Sequence, residues 1–444
     1  MSSYPEIQSM VDEIEIWDTH EHVAGFDWGF VAEDAPIGPT HPRKSLPHVL
    51  MNDMLLYITT ATGREAPNLA TSNWQIEDAP AYWRAMQPVL EEVRNTPVYG
   101  LIRRGLKELY GFEGDDITDD NFEELNARVV AAYAEKGAPA WLFEVVQRAK
   151  VKEFIQMAHL PYSIEYWPSL EPQRQARERA VVRPSLVLEP FFFSGFEPDR
   201  SRARQRTMEL LDIFPNSYQE HLEFMHAAVA RHKHEGGAAL KFICAYQRSL
   251  HFEEVADDEA KKLYDKGHEN LDKYELRRLQ DNLCWHLIRL AREFELPIQI
   301  HTGYSIPTSM GHPENLLNVV THPDFRKVDF YFCHAGWPHD GALSLMARSY
   351  ANVHFGFCWM PGLSPALATR LMDEVFDLVP ASKVLVGMDA GNIETFYGTA
   401  LVTREITAKV LAKKVDDGTI SRRAAETLAH RFLHDNANAL FGRR

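Results

Sequence analysis

The chain has 444 residues, of which 45% are hydrophobic and 25% are charged. This ordinary composition predicts a folded protein with a large core rather than a disordered chain. The formal net charge of −16 argues against nucleic acid or an anionic membrane as a partner, because no basic excess is available to neutralise phosphates. An anionic small molecule remains compatible, since it needs only a local Arg or Lys.

The cysteines and the N-terminal segment indicate the compartment. The four cysteines are far apart, form no CxxC motif and are expected to be free thiols in a reducing compartment: Cys244, Cys284, Cys333 and Cys358. The segment MSSYPEIQSMVDEIEIW contains no apolar signal core. No run of about eighteen apolar residues follows it. We therefore expect a cytoplasmic protein that does not bind membranes.

Short apolar runs bounded by turn or polar residues recur along the chain, and each predicts a buried strand. There are eight of them: Ile14–Asp18, Val151–Ala158, Ser185–Phe193, Ala238–Cys244, Pro297–His301, Val328–His334, Asn352–Phe357 and Lys383–Asp389. Helical patterns such as Leu279–Phe294 and Ala366–Leu378 lie between most of them. Because strands that alternate with helices pair in parallel through crossover connections, the sequence predicts an α/β fold, a (β/α)₈ TIM barrel.

More than a hundred residues separate the first two predicted strands. Four helical patterns fill much of this stretch: Ala79–Val93, Val98–Tyr110, Asn121–Lys136 and Trp141–Arg148. We interpret 30–148 as a helical insertion, a lid, within a single barrel domain of residues 1–444, because a loop that follows a barrel strand emerges at the catalytic face. The alternative is a helical domain far from the site. Further along, Phe252–Tyr274 is predicted to be a solvated helical excursion, and Ser421–Phe441 a final amphipathic helix capped by Ser421.

The most informative motif is the His-x-His formed by His20 and His22, at the end of the first predicted strand. Residues i and i+2 of a strand point to the same face, and two imidazoles on one face make a poor core and a good metal chelate. Many His-x-His pairs lie on surfaces without a metal, so the interpretation depends on further ligands at the ends of other strands.

Four such residues occur downstream. Lys241 lies in the fourth predicted strand, and His301, His334 and Asp389 end the fifth, sixth and eighth. Each alone has a structural interpretation, since a strand-end His is usually hydrogen-bonded and an Asp often caps a helix. Lys241 is less ordinary, because burying an ammonium costs several kcal/mol unless it is paired. Parallel barrel strands bring their carboxyl ends to one face, so the joint occurrence favours a metal site.

This set resembles the amidohydrolase superfamily of metal-dependent (β/α)₈ barrels. The matching features are DTHEH in the first strand, Lys241 in the fourth, His301 in the fifth, His334 in the sixth and Asp389 in the eighth. The segments LKFICAYQRSL, IQIHTG, CHAGWP and VLVGMDAGNIE resemble the amidohydrolase-2 group that contains the amidohydrolase-like domain fused to some glutamine synthetases. The segment NTPVYGLIRRGLKELYGF is similar to the helical insertion of uronate isomerases.

The resemblance implies a role for each ligand. His20 and His22 would hold the more buried metal together with Asp389, His301 and His334 would hold a second metal, and Lys241 would bridge the two as a carboxylated lysine. A mononuclear member would keep His20, His22, His301 and Asp389 and leave Lys241 without carboxylation. One or two zinc ions suit these ligands, and Mn, Fe or Ni is also compatible. Asp389 would be the catalytic residue that takes a proton from a metal-activated water and delivers it to the leaving group.

Further residues follow the predicted strands on loops where barrel enzymes hold their substrates. They are Tyr246, Arg248, Tyr304, Trp337 and Glu394. Arg248 could clamp a substrate carboxylate with two hydrogen bonds. Ordinary loop packing is the alternative for each of the five.

Three functions are compatible with these patterns. The first is a metal-dependent hydrolase that opens an amide, lactone or related C–N or C–O bond of a small, carboxylated substrate. The second is a decarboxylase or a sugar-acid isomerase on the same barrel. The second-strand motif of uronate isomerases is not evident in EFIQMAHLPYS, so that activity is not assigned. The third is a non-catalytic binding barrel, against which the complete ligand set argues. The superfamily resemblance also predicts a homo-oligomer.

Overall fold

Eight parallel strands form one sheet in the order β1 to β8, the nearly closed sheet of a (β/α)₈ barrel. The computed structural model describes residues 2–23, 45–50, 61–63, 76–158, 171–192 and 198–442. The strands are β1 (Ile16–Glu21), β2 (Val151–Ala158), β3 (Val182–Val187), β4 (Ala239–Phe242), β5 (Ile298–Ile300), β6 (Phe330–Phe332), β7 (Val353–Cys358) and β8 (Val384–Gly387). The predicted fold class is confirmed.

Helices surround the sheet on its outer side, as crossover connections require. They are α1 (Tyr4–Glu13), α2 (Leu46–Leu50), α3 (Ala79–Val93), α4 (Pro97–Tyr110), α5 (Asp119–Lys136), α6 (Ala138–Arg148), α7 (Pro172–Val181), α8 (Glu189–Phe192), α9 (Pro198–Leu211), α10 (Tyr218–His234), α11 (Asp257–Lys266), α12 (Lys273–Glu293), α13 (Leu317–Val320), α14 (Asp340–Ser349), α15 (Met360–Leu363), α16 (Pro365–Leu378), α17 (Ile393–Asp416), α18 (Arg422–His430) and α19 (Asn436–Phe441). No helix of the described ranges is long and apolar enough to cross a membrane.

The third predicted strand differs most from the structure. The run Ser185–Phe193 was expected to be extended throughout, but β3 ends at Val187 and α8 begins at Glu189. Phe193 lies outside the described residues. The aromatic residues of this run leave the sheet and pack sideways, Phe191 against Phe224 and Phe192 against Phe242. An apolar run therefore marked a buried segment without distinguishing a strand from a short helix.

The C-terminal helical segment also differs in detail from the single predicted helix. Ser421 does cap α18, since its hydroxyl accepts a hydrogen bond from the amide of Ala424. A π-helical segment, Arg431–Asp435, then separates α18 from α19.

The seam between β1 and β8 is bridged by buried carboxylates of the first strand. The amide of Asp389 donates to the carbonyl of His20 at 2.9 Å. Asp18 Oδ1 accepts from the amide of Met388 at 3.0 Å, and Glu21 Oε2 accepts from the amide of Ala390 at 2.9 Å. These bonds hold the carboxyl ends of the first and last strands together, where the predicted ligands lie.

Helix α4 of the insertion packs backbone to backbone against α17, the helix that follows β8. A Cβ on Gly105 would lie 2.3 Å from the carbonyl oxygen of Glu394, and a Cβ on Gly398 would lie 2.3 Å from that of Leu101. Two glycines thus allow a close helix crossing that larger residues would prevent. The contact involves the first turns of α17, close in sequence to Asp389, and so lies toward the carboxyl ends of the strands.

Candidate metal centre

Three predicted ligands meet where β1 and β8 end. His22 Nε2 lies 2.9 Å from Asp389 Oδ1, and His20 Nε2 lies 3.8 Å from the same oxygen. The ligand atoms of His20, His22 and Asp389 all lie within 4.8 Å of one another. His20 and Asp389 are buried and His22 is partly exposed, so the group opens toward solvent on one side.

The next two ligands extend this group across the barrel. His334 Nδ1 lies 3.5 Å from Asp389 Oδ2, and His334 Nε2 lies 2.8 Å from His301 Nδ1. His334 and Asp389 follow their strands with φ of 59° and 57°, a left-handed backbone that is uncommon for residues other than glycine. Such strained residues cluster at functional sites.

The buried histidines of this centre are in the neutral state that binds metals. Burial lowers the pKa of His20 and of His301 well below the usual value, and it lowers the pKa of His334 to about 4. Burial alone would raise the pKa of Asp389, but the hydrogen bond from His22 and the neighbouring imidazoles hold it well below its ordinary range. Neutral imidazoles and an ionised carboxylate are ligands for zinc and related divalent ions.

Three further polar side chains lie next to these ligands: Lys241 in β4, Cys333 directly after β6 and Cys358 at the end of β7. Lys241 is buried and donates to Cys333 Sγ at 3.0 Å. Cys358 Sγ lies within 4.8 Å of ligand atoms of His334 and Asp389 and is therefore a further potential ligand. All four cysteines are free thiols, and all four are buried.

A divalent metal fits this arrangement. His301 Nε2 is buried and has no hydrogen-bond partner among the described residues, which is costly unless another group satisfies it. The two ring nitrogens of His20 have different partners. Nδ1 lies 3.1 Å from Gln299 Oε1, and this contact orients the ring so that Nε2 is directed at Asp389. Orientation of a ligand histidine through its second nitrogen is typical of metal sites.

The family comparison places this centre in a known group. Residues 243–443 match the model of an amidohydrolase family, Amidohydro_2. Over these residues the chain belongs to the amidohydrolase superfamily. The matched segment contains His301, His334 and Asp389, and the barrel brings His20, His22 and Lys241 from the first four strands to the same pocket.

Solved structures of low sequence identity share this superfamily member's fold over its whole length. A uronate isomerase from Thermotoga maritima has a TM-score of 0.78 at 16% identity, covering 99% of this chain and 98% of that one. A glucuronate isomerase from Caulobacter crescentus has a TM-score of 0.73 at 16% identity, covering 99% and 93%. A protein described as a metal-dependent hydrolase from Lactobacillus casei has a TM-score of 0.64 at 16% identity, covering 98% and 97%. No curated protein matches the chain in sequence.

Three of the five predicted substrate-facing residues lie beside this candidate metal centre. The Tyr246 ring lies 4.3 Å from the His301 ring and is 49% exposed. The amide of Tyr304 donates to the carbonyl of Trp337 at 2.7 Å, which joins the loops after β5 and β6. Both side chains are partly exposed.

Arg248 and Glu394 are engaged elsewhere. The Arg248 guanidinium is buried, donates to Gln280 Oε1 at 3.0 Å and pairs with the buried carboxylate of Asp281. To clamp a substrate it would have to leave these partners. Glu394 is fully buried and accepts from Tyr110 at 2.6 Å and Tyr133 at 3.0 Å, two tyrosines of the insertion.

Some neighbours of the centre were not predicted. Asp18 and Glu21 lie in β1 itself, and burial raises the pKa of Asp18 to about 7. Burial and the adjacent Asp18 raise the pKa of Glu21 well above its ordinary value, so these acids favour a protonated form. Regular alternation would place Asp18 and Glu21 on opposite faces of β1, and the register shift between them has no signal in the sequence. Trp359, directly after β7, was missed because the predicted strand ended at Phe357 and the next residue, Cys358, was expected to be an ordinary free thiol.

Proposed function

We propose that this protein is a metal-dependent hydrolase that adds water across an amide, lactone or related C–N or C–O bond of a small molecule. The observation that carries the proposal is the approach of His20, His22 and His334 to one ionised carboxylate, Asp389, in a buried pocket. The residues that would hold the metal are His20, His22 and Asp389, with His301, His334 and Lys241 next to them. Superfamily membership supports the same assignment.

A divalent metal in this position would lower the pKa of a coordinated water to about 7 and polarise a substrate carbonyl. Asp389 supplies the proton transfers. Its carboxylate is ionised, so it can accept the proton of the attacking water, and its buried position keeps that proton available for the leaving nitrogen or oxygen. The neutral imidazole of His334 lies 3.5 Å from the Asp389 carboxylate, and that of His301 lies behind it, 2.8 Å from His334.

A sugar-acid isomerase is the second candidate, and the full-length likeness to uronate isomerases favours it. That reaction needs side chains that hold several hydroxyl groups of an open-chain substrate. The described loops after β4, β5 and β6 instead present Tyr246, Tyr304 and Trp337 beside the centre. The aromatic rim therefore supports hydrolysis of a less hydroxylated molecule. Decarboxylation of an aromatic acid fits the rim as well and is an outcome of the same test.

The test is turnover in water enriched in ¹⁸O, with zinc-loaded protein and a panel of amides, lactones, aromatic acids and D-glucuronate. Incorporation of one ¹⁸O atom into the product carboxylate is expected, with loss of activity in Asp389→Asn. Release of CO₂ without ¹⁸O incorporation would replace the proposal by a decarboxylase. Interconversion of D-glucuronate with its keto form would replace it by an isomerase. The oligomeric state and the small-molecule partner remain predictions that size measurement and the same panel address.

A further inference from the structure

Four consecutive loops at the barrel mouth each contribute one large aromatic side chain. Tyr246 follows β4, Tyr304 follows β5, Trp337 follows β6 and Trp359 follows β7. We call these four residues the aromatic wall. Because the carboxyl ends of parallel strands lie side by side, these four residues follow one another around half of the barrel mouth, an arrangement that we call the arc.

Within the aromatic wall, the Tyr304 ring contacts the rings of Trp337 and Trp359, and the Tyr246 ring contacts a histidine of the candidate metal centre. The Tyr304 ring lies 4.6 Å from the Trp359 ring at 78° and 6.4 Å from the Trp337 ring. The Tyr246 ring lies 4.3 Å from His301, whose ring lies 4.3 Å from His334. These separations are those of favourable aromatic pairs. The arc therefore begins at the ligand histidines.

The backbone holds two of the four residues in a strained conformation. Tyr304 has a φ of 29° and Trp359 a φ of 57°. A left-handed backbone at a bulky residue is unfavourable and persists where the surroundings impose it, most often at ligand sites. The surroundings are visible here, since a Cβ on Gly303 would lie 2.0 Å from the carbonyl oxygen of Trp337. The loops fix these rings instead of leaving them to pack freely.

The exposed fraction of the side chains decreases along the arc from Tyr246 to Trp359. Trp359 is buried, Tyr304 and Trp337 are partly exposed, and Tyr246 is 49% exposed. Ile306, on the loop that carries Tyr304, is 88% exposed. Aromatic surface that is left accessible beside polar ligands is typical of a small-molecule pocket. The predicted cationic clamp, Arg248, is meanwhile occupied by Asp281 and Gln280.

We propose that the aromatic wall binds a planar unsaturated ring of the substrate and stacks against it while the metal centre acts on a bond attached to that ring. This inference rests on the proposed function, because it assigns the substrate class of the same site. The substrate is then an aromatic or heteroaromatic amide, lactone or ester and not a polyhydroxylated sugar acid.

Binding of two matched carboxylates to the zinc-loaded full-length protein tests the proposal by calorimetry. Benzoate and cyclohexanecarboxylate carry the same charge and differ in planarity, and D-glucuronate is the hydroxylated comparison. Benzoate is expected to bind about tenfold more tightly than cyclohexanecarboxylate, from about two stacking contacts. Equal affinities, tighter binding of D-glucuronate, or no binding of benzoate at millimolar concentration would overturn the proposal.

Variants assign the preference to the wall. Tyr246→Leu should bring the affinity ratio close to one, while Tyr246→Phe should keep it, because the ring is retained. Tyr274→Leu is the matched control, since Tyr274 is 64% exposed on α12, in a different part of the chain. An unchanged ratio in Tyr246→Leu would contradict the assignment. Because binding requires no turnover, this result stays separate from the ¹⁸O test, in which the hydrolase proposal can fail independently.

Discussion

Replacing Gly105 by alanine tests whether the insertion is docked on the barrel as described. The new Cβ would lie 2.3 Å from the carbonyl oxygen of Glu394 and 2.8 Å from its carbonyl carbon. Since both atoms belong to the backbone of α17, no side-chain rotation can relieve the overlap, and α4 must move away. Overpacking of this kind costs about 1–3 kcal/mol, and the better helix propensity of alanine offsets about 1 kcal/mol. We expect the free energy of unfolding to fall by up to about 2 kcal/mol.

Gly100→Ala is the matched control, because Gly100 lies in the same helix and a Cβ there meets nothing within 4 Å. This variant should be more stable than the wild type by about 0.5–1 kcal/mol. Urea unfolding followed by circular dichroism compares the free energies, and amide hydrogen exchange of residues 97–110 locates the change. If Gly105→Ala were as stable as Gly100→Ala and protected equally, the close crossing of α4 and α17 would be wrong.

Three further predictions concern the site and the core. Asp389→Asn should lower kcat by about 10²–10⁴-fold when steady-state kinetics are compared at a matched metal content. An unchanged kcat would contradict this prediction. Asp281→Asn leaves the Arg248 guanidinium buried without its counter-charge and should lower the free energy of unfolding by about 3–5 kcal/mol; a neutral effect in urea unfolding would mean that Arg248 is available to a substrate. Burial lowers the pKa of His221 to about 4, so the unfolded chain binds the extra proton between pH 6.5 and 4. Stability should therefore fall by up to about 3 kcal/mol as the pH falls through that window, and an equally steep pH profile of His221→Asn would exclude this histidine as the cause.

Strands and candidate ligands could be predicted where a short apolar run was followed directly by a His or an Asp. Each apolar run ended at the carboxyl face of the barrel, so His301, His334 and Asp389 could be placed together before any distance was known. The end of β3 could not, because Phe191 and Phe192 satisfy an apolar pattern equally well in a strand or a short helix.

Residues whose partners are distant in sequence were harder to interpret. Arg248 follows its strand as a substrate-binding residue would, but Asp281, 33 positions later, pairs with it. Glu394 likewise meets tyrosines of the insertion, which lie more than two hundred positions earlier. A side chain on a loop is available to a substrate only when no distant residue of the chain already forms a buried ion pair or hydrogen bond with it. A single sequence does not contain that information.

The lid role of the insertion stays a prediction with structural support. The crossing at Gly105 and the bonds from Tyr110 and Tyr133 to Glu394 bring α4 and α5 to the start of α17, which follows Asp389 in the chain. Residues 30–44, 51–60 and 64–75 of the predicted insertion lie outside the described part of the chain.

Metal content tests the central claim most directly. Elemental analysis of protein purified without chelator should find one or two divalent metal ions per chain in the wild type. The double variant His20→Ala/His22→Ala should retain its circular dichroism spectrum and lose at least one of these ions, because it removes two of the three ligands in the group of His20, His22 and Asp389. A folded wild-type protein without metal, or a double variant with unchanged metal content, would contradict the assignment of this centre.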